Sequence, residues 1–395
     1  MSAVTTTPEQ HGIKAHSDGG WDAAEKVVPV QTRSDRFTSF VHGDFPEVSG
    51  READWKLTPV ELVRPLIDGA LDGSPYDYTA TDVAGATVEW IDRDSARVGI
   101  AGTPEERASA NAWTSFEKAL SITVTGEDAA ELTVARDSLG TGLRAGHTII
   151  TARANSVATV VLQNGGAAQL SENVEIVVED GAHLTVISVQ EWDDASIHLA
   201  SHFARVGRDA RLRHIIVSLG GKVVRINPST HLVDQGADAE LFGVYFADAG
   251  QHLEHRVYVN HVAPNTRSRV TYKGALNGEG AHTVWVGDVL IGPKAAGTDT
   301  YEQNRNLVLS EGTRADSIPN LEIQTGDIAG AGHASATGRF DDEQLFYLMA
   351  RGITEREARR LVVLGFLSEI VQKVGVGELH TRLQAAIEAE LRGVA

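Results

Sequence analysis

Residues Val174–Val189, VEIVVEDGAHLTVISV, carry the pattern that best indicates the fold. Apolar residues occupy alternate positions from Val174 to Val178 and again from Ala182 to Val186, on either side of a turn at Gly181. A period of two places alternate side chains on one face of an extended chain. The stretch is therefore typical of two short β-strands joined by a glycine turn.

A three-residue repeat extends this pattern through the middle of the chain: a small residue, any residue, then an aliphatic residue. Successive first members are 24, 28, 29 and 29 residues apart, and glycine-rich turns fill the gaps. Stacked coils of a parallel β-helix explain such a period, because each coil buries its inward residues against its neighbours. An antiparallel sandwich, with turns about every 8–12 residues, is the alternative. The repeat occurs at Ala158–Val160, Ala182–Leu184, Ala210–Leu212, Ala239–Leu241 and Ser268–Val270.

Helix signals flank the strand zone on both sides. Before it, Thr58 to Leu71 has apolar residues at helical spacing behind a Thr-Pro start, and Glu105 to Leu120 is a second candidate helix. After it, capping signals at Asp341 and Thr354 begin two helices, and an amphipathic third runs from Glu378 to Arg392. These C-terminal helices either cap the solenoid or dock a partner.

The chain as a whole therefore divides into four predicted zones. They are a disordered tail (1–29), a helical or mixed N-terminal domain (30–120), a parallel β-helix core (121–335) and a C-terminal helical domain (336–395). The predicted fold class is mainly β, with helical domains at both ends of the core.

Composition excludes several function classes. The 395 residues carry 35 basic and 54 acidic side chains, a net charge of −19, which argues against sequence-independent nucleic-acid binding. No run of about 18 apolar residues predicts a membrane helix, and the polar start MSAVTTTPEQHGIKAHSDGG lacks the apolar segment of a secretory signal. The absence of cysteine fits a cytoplasmic location and rules out a thiolate nucleophile or ligand from this chain.

Common catalytic motifs are missing from the sequence. LGGKVV around Lys222 lacks the spacing and the hydroxyl of a phosphate-binding loop, and the glycines around Ser335 stand one residue too far away for a nucleophile elbow. Three histidines cluster in QHLEHRVYVNH, but on a strand His255 and His261 share a face that His252 does not. We therefore expect packing or surface roles for these three.

His333 is harder to assign. It lies in GDIAGAGHASATG, which we interpret as a loop before a helix; Gly330 and Gly332 leave the backbone uncrowded, and Asp327 is near enough to orient a ring nitrogen. Imidazole is a borderline-soft ligand for iron, zinc or copper. One histidine is not a metal site. Either His333 is an ordinary polar loop residue, or its fellow ligands come from another chain.

The last third of the chain carries a family resemblance. NRNLVLSEGTRADSIPNLEI (Asn304–Ile323), followed by GHASATGRFDDEQLFYLMARGITEREARRLVVLGF (Gly332–Phe366), closely resembles the SufB/SufD family of iron–sulfur cluster assembly proteins. READWKLTP (Arg51–Pro59) and the lack of cysteine make the chain most similar to the SufD subunit, actinobacterial type. The resemblance implies a right-handed parallel β-helix core with helical N-terminal and C-terminal domains, in agreement with the pattern.

The resemblance also implies a function. A SufD-like chain is a non-enzymatic scaffold of the SufBCD complex, which pairs with SufB through the β-helix edges and holds the SufC ATPase with its C-terminal helices. No cofactor is then bound stably by this chain alone; iron or a nascent cluster is held transiently at the SufB–SufD interface, with His333 as candidate ligand and Asp327 behind it. The residues expected to contact SufC are Phe346, Tyr347, Leu348, Arg351 and Gly352.

One departure from the family bears on the ligands. Many SufD chains have Cys-Ser-His where this chain has Ala331, Gly332 and His333, and an extra residue separates Asp327 from the histidine. Only nitrogen and oxygen ligands can then come from this side. The alternatives to this function are a SufB-like homodimeric scaffold and a β-helix carbohydrate-active enzyme, which would need acid and base side chains along its coils.

Overall fold

The computed structural model describes residues 36–339, 342–375 and 377–391. The predicted tail (1–29) and the predicted cap at Asp341 lie outside these residues. The α-helices are α1 (Val60–Asp68), α2 (Arg107–Ser115), α3 (Asp342–Met349), α4 (Glu355–Val371) and α5 (Gly377–Leu391), with single 3-10 turns at His42–Asp44 and Gln372–Val374. The strands are β1 (Thr79–Ala80), β2 (Ala86–Asp92), β3 (Lys118–Val124), β4 (Ala130–Arg136), β5 (Leu143–Ala152), β6 (Val157–Gly166), β7 (Gln169–Val178), β8 (His183–Trp192), β9 (Ile197–Val206), β10 (Arg211–Ser218), β11 (Val223–Leu232), β12 (Asp238–Ala247), β13 (His252–His261), β14 (Arg267–Leu276), β15 (His282–Ile291), β16 (Thr298–Val308), β17 (Arg314–Ile323) and β18 (Ile328–Arg339).

The strands stack as a parallel β-solenoid. One sheet has the order β1-β4-β6-β8-β10-β12-β14-β16-β18, and the other has the order β17-β15-β13-β11-β9-β7-β5-β3-β2. From β3 onward, each strand therefore pairs in parallel with the strands two places away in the chain, which gives about eight coils of two strands each. This confirms the parallel β-helix prediction over the antiparallel sandwich.

The strand register differs from the predicted repeat in phase. Ala182 and Ala210 precede their strands, so the position that pairs with Ala158 is Leu184 rather than Ala182. One column thus contains both small and larger aliphatic residues. The observed column runs through Ala158, Leu184, Leu212, Ala239 and Ser268.

The corners between strands alternate between Asx and glycine. Asn155 has a left-handed backbone, with a φ of 60°, and its side-chain oxygen lies against Gly181 of the next coil. Gly181 itself has a φ of 70°, and a Cβ there would overlap that oxygen. Glycine is therefore required at this corner by conformation and by space. The same pairing recurs for Asp209 with Gly236 and for Asn265 with Gly297.

Glycine and tyrosine interlock inside the later coils. Tyr245 and Tyr272 are fully buried, and across the β12–β14 pair Tyr245 faces Gly274 while Tyr272 faces Gly243. A Cβ at either glycine would overlap the facing ring. The rings thus fill the interior to a density that leaves no space for even one methyl group.

The two ends of the solenoid are finished differently. At the first coil, β1 and β2 pair antiparallel with β4 and β3, which closes that end. At the last coil, β17 and β18 are the outermost strands of their sheets, and within the described ranges no strand pairs beyond them. The solenoid is therefore closed at its N-terminal end and open at its C-terminal end.

The helices lie along the sides of the solenoid. Helices α1 and α2 pack on the outer face of one sheet, where Val63 and Leu66 meet Leu199 and Val223. Helices α4 and α5 pack on the outer face of the other sheet, where the apolar side of each helix meets residues of β6 to β14. The C-terminal helices do not cap the end of the solenoid, so the first of the two roles considered for them is wrong.

Some predicted element boundaries are confirmed and two are wrong. Thr354 caps α4 as predicted, accepting a hydrogen bond from the Glu357 backbone at 3.3 Å. The helix predicted over Glu105 to Leu120 ends at Ser115, because the chain then turns into β3 to bury Ala119 and Leu120. The loop predicted around His333 is instead strand β18, which pairs with β16.

Replacing Gly274 by alanine tests the interlocked packing. The added methyl group collides with the Tyr245 ring, and we expect the free energy of unfolding to fall by roughly 2–3 kcal/mol. Gly338→Ala, at a strand position with nothing within 4 Å of the added Cβ, is the matched control and should change stability by less than about 1 kcal/mol. Urea unfolding measures both; equal losses would show that the tyrosine–glycine contact is not the cause.

Candidate functional site

His333 lies at the end of an inward-facing column of the solenoid. It pairs with Glu302 of β16, and its side chain remains 44% exposed, since no described coil lies beyond β18. Below Glu302 the same column is mostly apolar. Its members are Leu132, Val160, Val186, His214, Leu241 and Val270.

Glu302 is a buried carboxyl group directly beneath His333. It is 1% exposed, and its Oε1 lies 3.8 Å from Nδ1 of His333. Neither carboxylate oxygen has a hydrogen-bond partner among the described residues, although the Asn320 backbone is close enough to lower the pKa slightly. Burial, with a smaller contribution from Asp288, raises the pKa of Glu302 to about 8. The column therefore ends in one buried carboxyl group, whose oxygens lack hydrogen-bond partners among the described residues, and one exposed imidazole.

Gly287 on the opposite sheet leaves space for the Glu302 carboxyl group. A Cβ at Gly287 of β15 would overlap both the Glu302 carboxylate and the Trp285 ring. Trp285 is fully buried, and its indole Nε1 also lacks a partner in the described part of the chain. Gly287 thus leaves the space that Glu302 occupies, and Trp285 forms its wall.

The predicted second residue, Asp327, is placed elsewhere. It stands six residues before His333, about 20 Å away along an extended chain, and its backbone carbonyl accepts a hydrogen bond from Gly297 at 2.9 Å. The carboxylate beside His333 is Glu302 instead. Glu302 was not identified in the sequence analysis. The available signal was its position, since Glu302 follows Thr300 as Val270 follows Ser268 in the repeat.

The residues predicted to dock a partner form an exposed apolar surface on α3. Phe346 is 74% exposed and Tyr347 is 56% exposed, and the Arg351 guanidinium lies 4.5 Å from the Tyr347 ring centroid. Leu348 is half-buried, and Gly352, with a φ of 86°, ends the helix region. Met349 and Leu361 add to the exposed apolar area. Large apolar side chains exposed together in this way mark an interaction surface.

The histidine cluster of β13 divides as predicted. His255 faces the interior and bonds Ser218 at 3.0 Å, and His261, on the same face, bonds Thr266 and Ser268. His252 faces outward and contacts Glu254 and His282. The three do not converge, and their roles are hydrogen bonding and packing.

The described part of the chain contains neither a cluster of metal ligands nor a membrane-spanning helix. Among the described residues, no group of three or more His, Cys, Asp or Glu side chains could hold a metal ion. None of the described helices is both long enough and apolar enough to cross a bilayer. The Glu302–His333 pair offers two donor atoms, fewer than such a group would have.

Fold and site together define a class of protein: a parallel β-solenoid with side-packed helices, in which the last described strand carries an exposed imidazole over a buried carboxyl group. A family model described as the SUF system FeS cluster assembly SufBD core domain matches residues 135–366, more than half of the chain. The chain belongs to the SufBD family of iron–sulfur cluster assembly proteins.

Similar proteins occur in mycobacteria. The chain is 47% identical over 372 residues to an iron–sulfur cluster assembly SufBD family protein of Mycobacterium tuberculosis, covering 92% of this chain and 94% of the relative. A Mycobacterium leprae protein of the same description is 48% identical over 366 residues, covering 90% and 93%. A second Mycobacterium tuberculosis protein of that family is 30% identical over 220 residues, covering 56% of this chain and 26% of the relative.

The interior histidines should make the fold sensitive to acid. Burial lowers the pKa of His214 to about 4 and that of His255 to about 3, against an ordinary value of 6.5. Below pH 6.5 the unfolded chain therefore binds more protons than the folded one, and stability falls as pH decreases. At pH 5 each such histidine should cost about 2 kcal/mol relative to pH 7.5.

Urea unfolding at pH 7.5 and pH 5.0 measures this effect. The loss of stability between pH 7.5 and pH 5.0 should be smaller by about 2 kcal/mol in His255→Gln than in the wild type. His183→Gln, at an exposed position, should lose as much stability as the wild type. The same pH dependence in His255→Gln as in the wild type would contradict the assignment.

Proposed function

We propose that this chain is a SufD-like scaffold subunit, not an enzyme, of a cytoplasmic SufBCD-type complex, and that it presents iron to a cluster forming at its interface with a SufB-type partner. The observation that carries the proposal is the position of His333 over the buried Glu302 at the one open end of the solenoid. A metal held there needs further ligands. They must come from beyond β17 and β18, where a partner would sit.

The open end has the properties of a pairing surface. The outer edges of β17 and β18 present backbone groups that no described strand pairs, and such edges associate with other strands. Leu321, Ile328 and Ala331 close the interior only partly, and Ile323 is 44% exposed. A second solenoid stacked on this end would bury these side chains and continue both sheets.

The comparisons support a partner that is related but not identical. Mycobacterium tuberculosis has one SufBD family protein that matches nearly the whole of this chain and a second that matches only 220 residues of it. Two family members in one organism fit a pair of different subunits. Because this chain has no cysteine, a cluster at a homodimer interface could have no thiolate ligand. A SufB-like homodimer is therefore the weaker candidate.

The exposed surface of α3 is our candidate for docking the SufC ATPase. Phe346, Tyr347 and Met349 expose large apolar side chains next to Arg351, a composition enriched at the centres of protein interfaces. The strand that carries His333 ends at Arg339, and α3 begins at Asp342. In the proposed complex, a conformational change of SufC bound to α3 would be transmitted to His333 through this short connection.

Replacing His333 by alanine tests the iron role. We expect the complex with the SufB-type partner to form normally, because the ring is half-exposed, while cluster formation from ferrous iron and sulfide falls at least tenfold through loss of a ligand. Absorbance of the cluster during anaerobic assembly measures the rate, and size-exclusion chromatography measures the complex. If an intact complex of this variant formed clusters at the wild-type rate, His333 would not be an iron ligand.

Replacing Tyr347 by arginine tests the docking surface. An extra charge in the middle of the apolar surface should abolish co-purification with SufC without loss of folded protein, since Tyr347 is exposed. Leu62→Arg is the matched control, because Leu62 is an exposed apolar residue on α1, a helix packed on the opposite sheet. Retained SufC binding by Tyr347→Arg, or equal loss in both variants, would contradict the assignment.

A further inference from the structure

We propose that Glu302 is a metal ligand, so that this subunit offers a divalent first-row metal ion one imidazole nitrogen and one carboxylate oxygen at the end of the solenoid. The inference deepens the proposed function and rests on it for the identity of the ion, which is Fe²⁺. Without that function, the same two donors still define a binding place for such ions.

The first argument is the cost of leaving Glu302 unpaired. Its side chain is almost completely buried, and apart from the nearby Asn320 backbone neither oxygen has a hydrogen-bond partner among the described residues. Buried polar groups in folded proteins are nearly always paired, because an unpaired one loses its bonds to water without replacement. Five of the six lower members of its column are aliphatic, so an aliphatic residue at 302 would continue the packing without this loss. A bound cation would supply the missing partner.

The second argument is the distance between the two donors. Two ligands at about 2.0–2.2 Å from one ion, at angles of about 90–110°, lie roughly 3.0–3.5 Å apart. Oε1 of Glu302 and Nδ1 of His333 are 3.8 Å apart, so a small rotation of the exposed imidazole brings both within reach of a common ion. Adjacent positions in one column hold the two side chains on the same side of the sheet.

The third argument is the direction of access. His333 is at the open rim, Glu302 lies one coil below, Val270 lies beneath Glu302, and the fully buried Trp285 lies beside it. An ion that enters from the open end meets the imidazole and then the carboxylate, and can go no further.

The donor chemistry fits ferrous iron. An oxygen and a nitrogen ligand suit divalent first-row ions, whereas a soft ion such as Cu⁺ prefers thiolate or thioether sulfur, and the Glu302–His333 pair offers neither. With two donors from this subunit, water and a partner would complete the coordination. Because this subunit supplies only two of the ligands, the ion stays exchangeable, as delivery to a growing cluster requires.

The test is anaerobic titration with Co²⁺, a spectroscopic stand-in, and with Fe²⁺. The full chain is used in its complex with the SufB-type partner. We expect Glu302→Gln, which keeps the shape of the side chain but removes the anionic donor, to raise the Kd for Co²⁺ at least tenfold and to change the ligand-field spectrum. Glu131→Gln removes one charge from an exposed position of β4 and should bind as wild type. Unchanged Kd and spectrum in Glu302→Gln, with the unfolding midpoint at or above that of wild type, would overturn the proposal.

His333→Ala separates this inference from the proposed function. If His333→Ala stops cluster formation and weakens Co²⁺ binding while Glu302→Gln does neither, the iron role of His333 stands and the Glu302 ligand is refuted. If both variants weaken Co²⁺ binding but both assemble clusters at the wild-type rate, the two-donor site is real and its role in assembly fails.

Discussion

In-register stacking of parallel coils is the constraint on which this structure depends. Every inward side chain lies over its counterpart one coil away, about 4.8 Å along the solenoid. An inward polar residue must therefore find its partner along its column or across the interior. Arg136 donates to Asn164 at 2.7 Å, Asn164 donates to Gln190 at 3.1 Å, and further along the same column Ser218 bonds His255. Where this rule is obeyed, a polar interior is compatible with a stable core.

The same rule explains why the Glu302–His333 pair lies at the end of its column. Glu302 occupies a position that is aliphatic in five of the six lower coils, and its neighbour on the open side of the column, His333, has no described coil above it. The antiparallel strands β1 and β2 close the first coil, so among the described residues the unfinished column lies at the C-terminal end. Helices α1, α2, α4 and α5 use their apolar faces on the sides of the sheets.

Much of the fold followed from local pattern. Period-two alternation, a coil length near 28 residues and glycine-rich corners predicted stacked parallel strands, since these are repeated local properties that need no knowledge of distant contacts. The phase of the repeat was wrong by two residues at Ala182 and Ala210, because a short motif does not show which of two inward positions stacks on which. His333 was identified by its isolation in a featureless segment, but that segment is a strand: glycine and alanine allow extended pairing without demanding it.

Residue type and local period were enough to predict the solenoid, the flanking helices and the lack of thiolate ligands, and they singled out His333 as a candidate. Tertiary structure alone decided which carboxylate stands beside that histidine. Asp327 is close in the chain but extended backbone carries it away, whereas Glu302 is 31 residues distant and is brought to 3.8 Å by the register of β16 and β18. Register is a property of all the coils together, and so the site could be seen only once they were stacked.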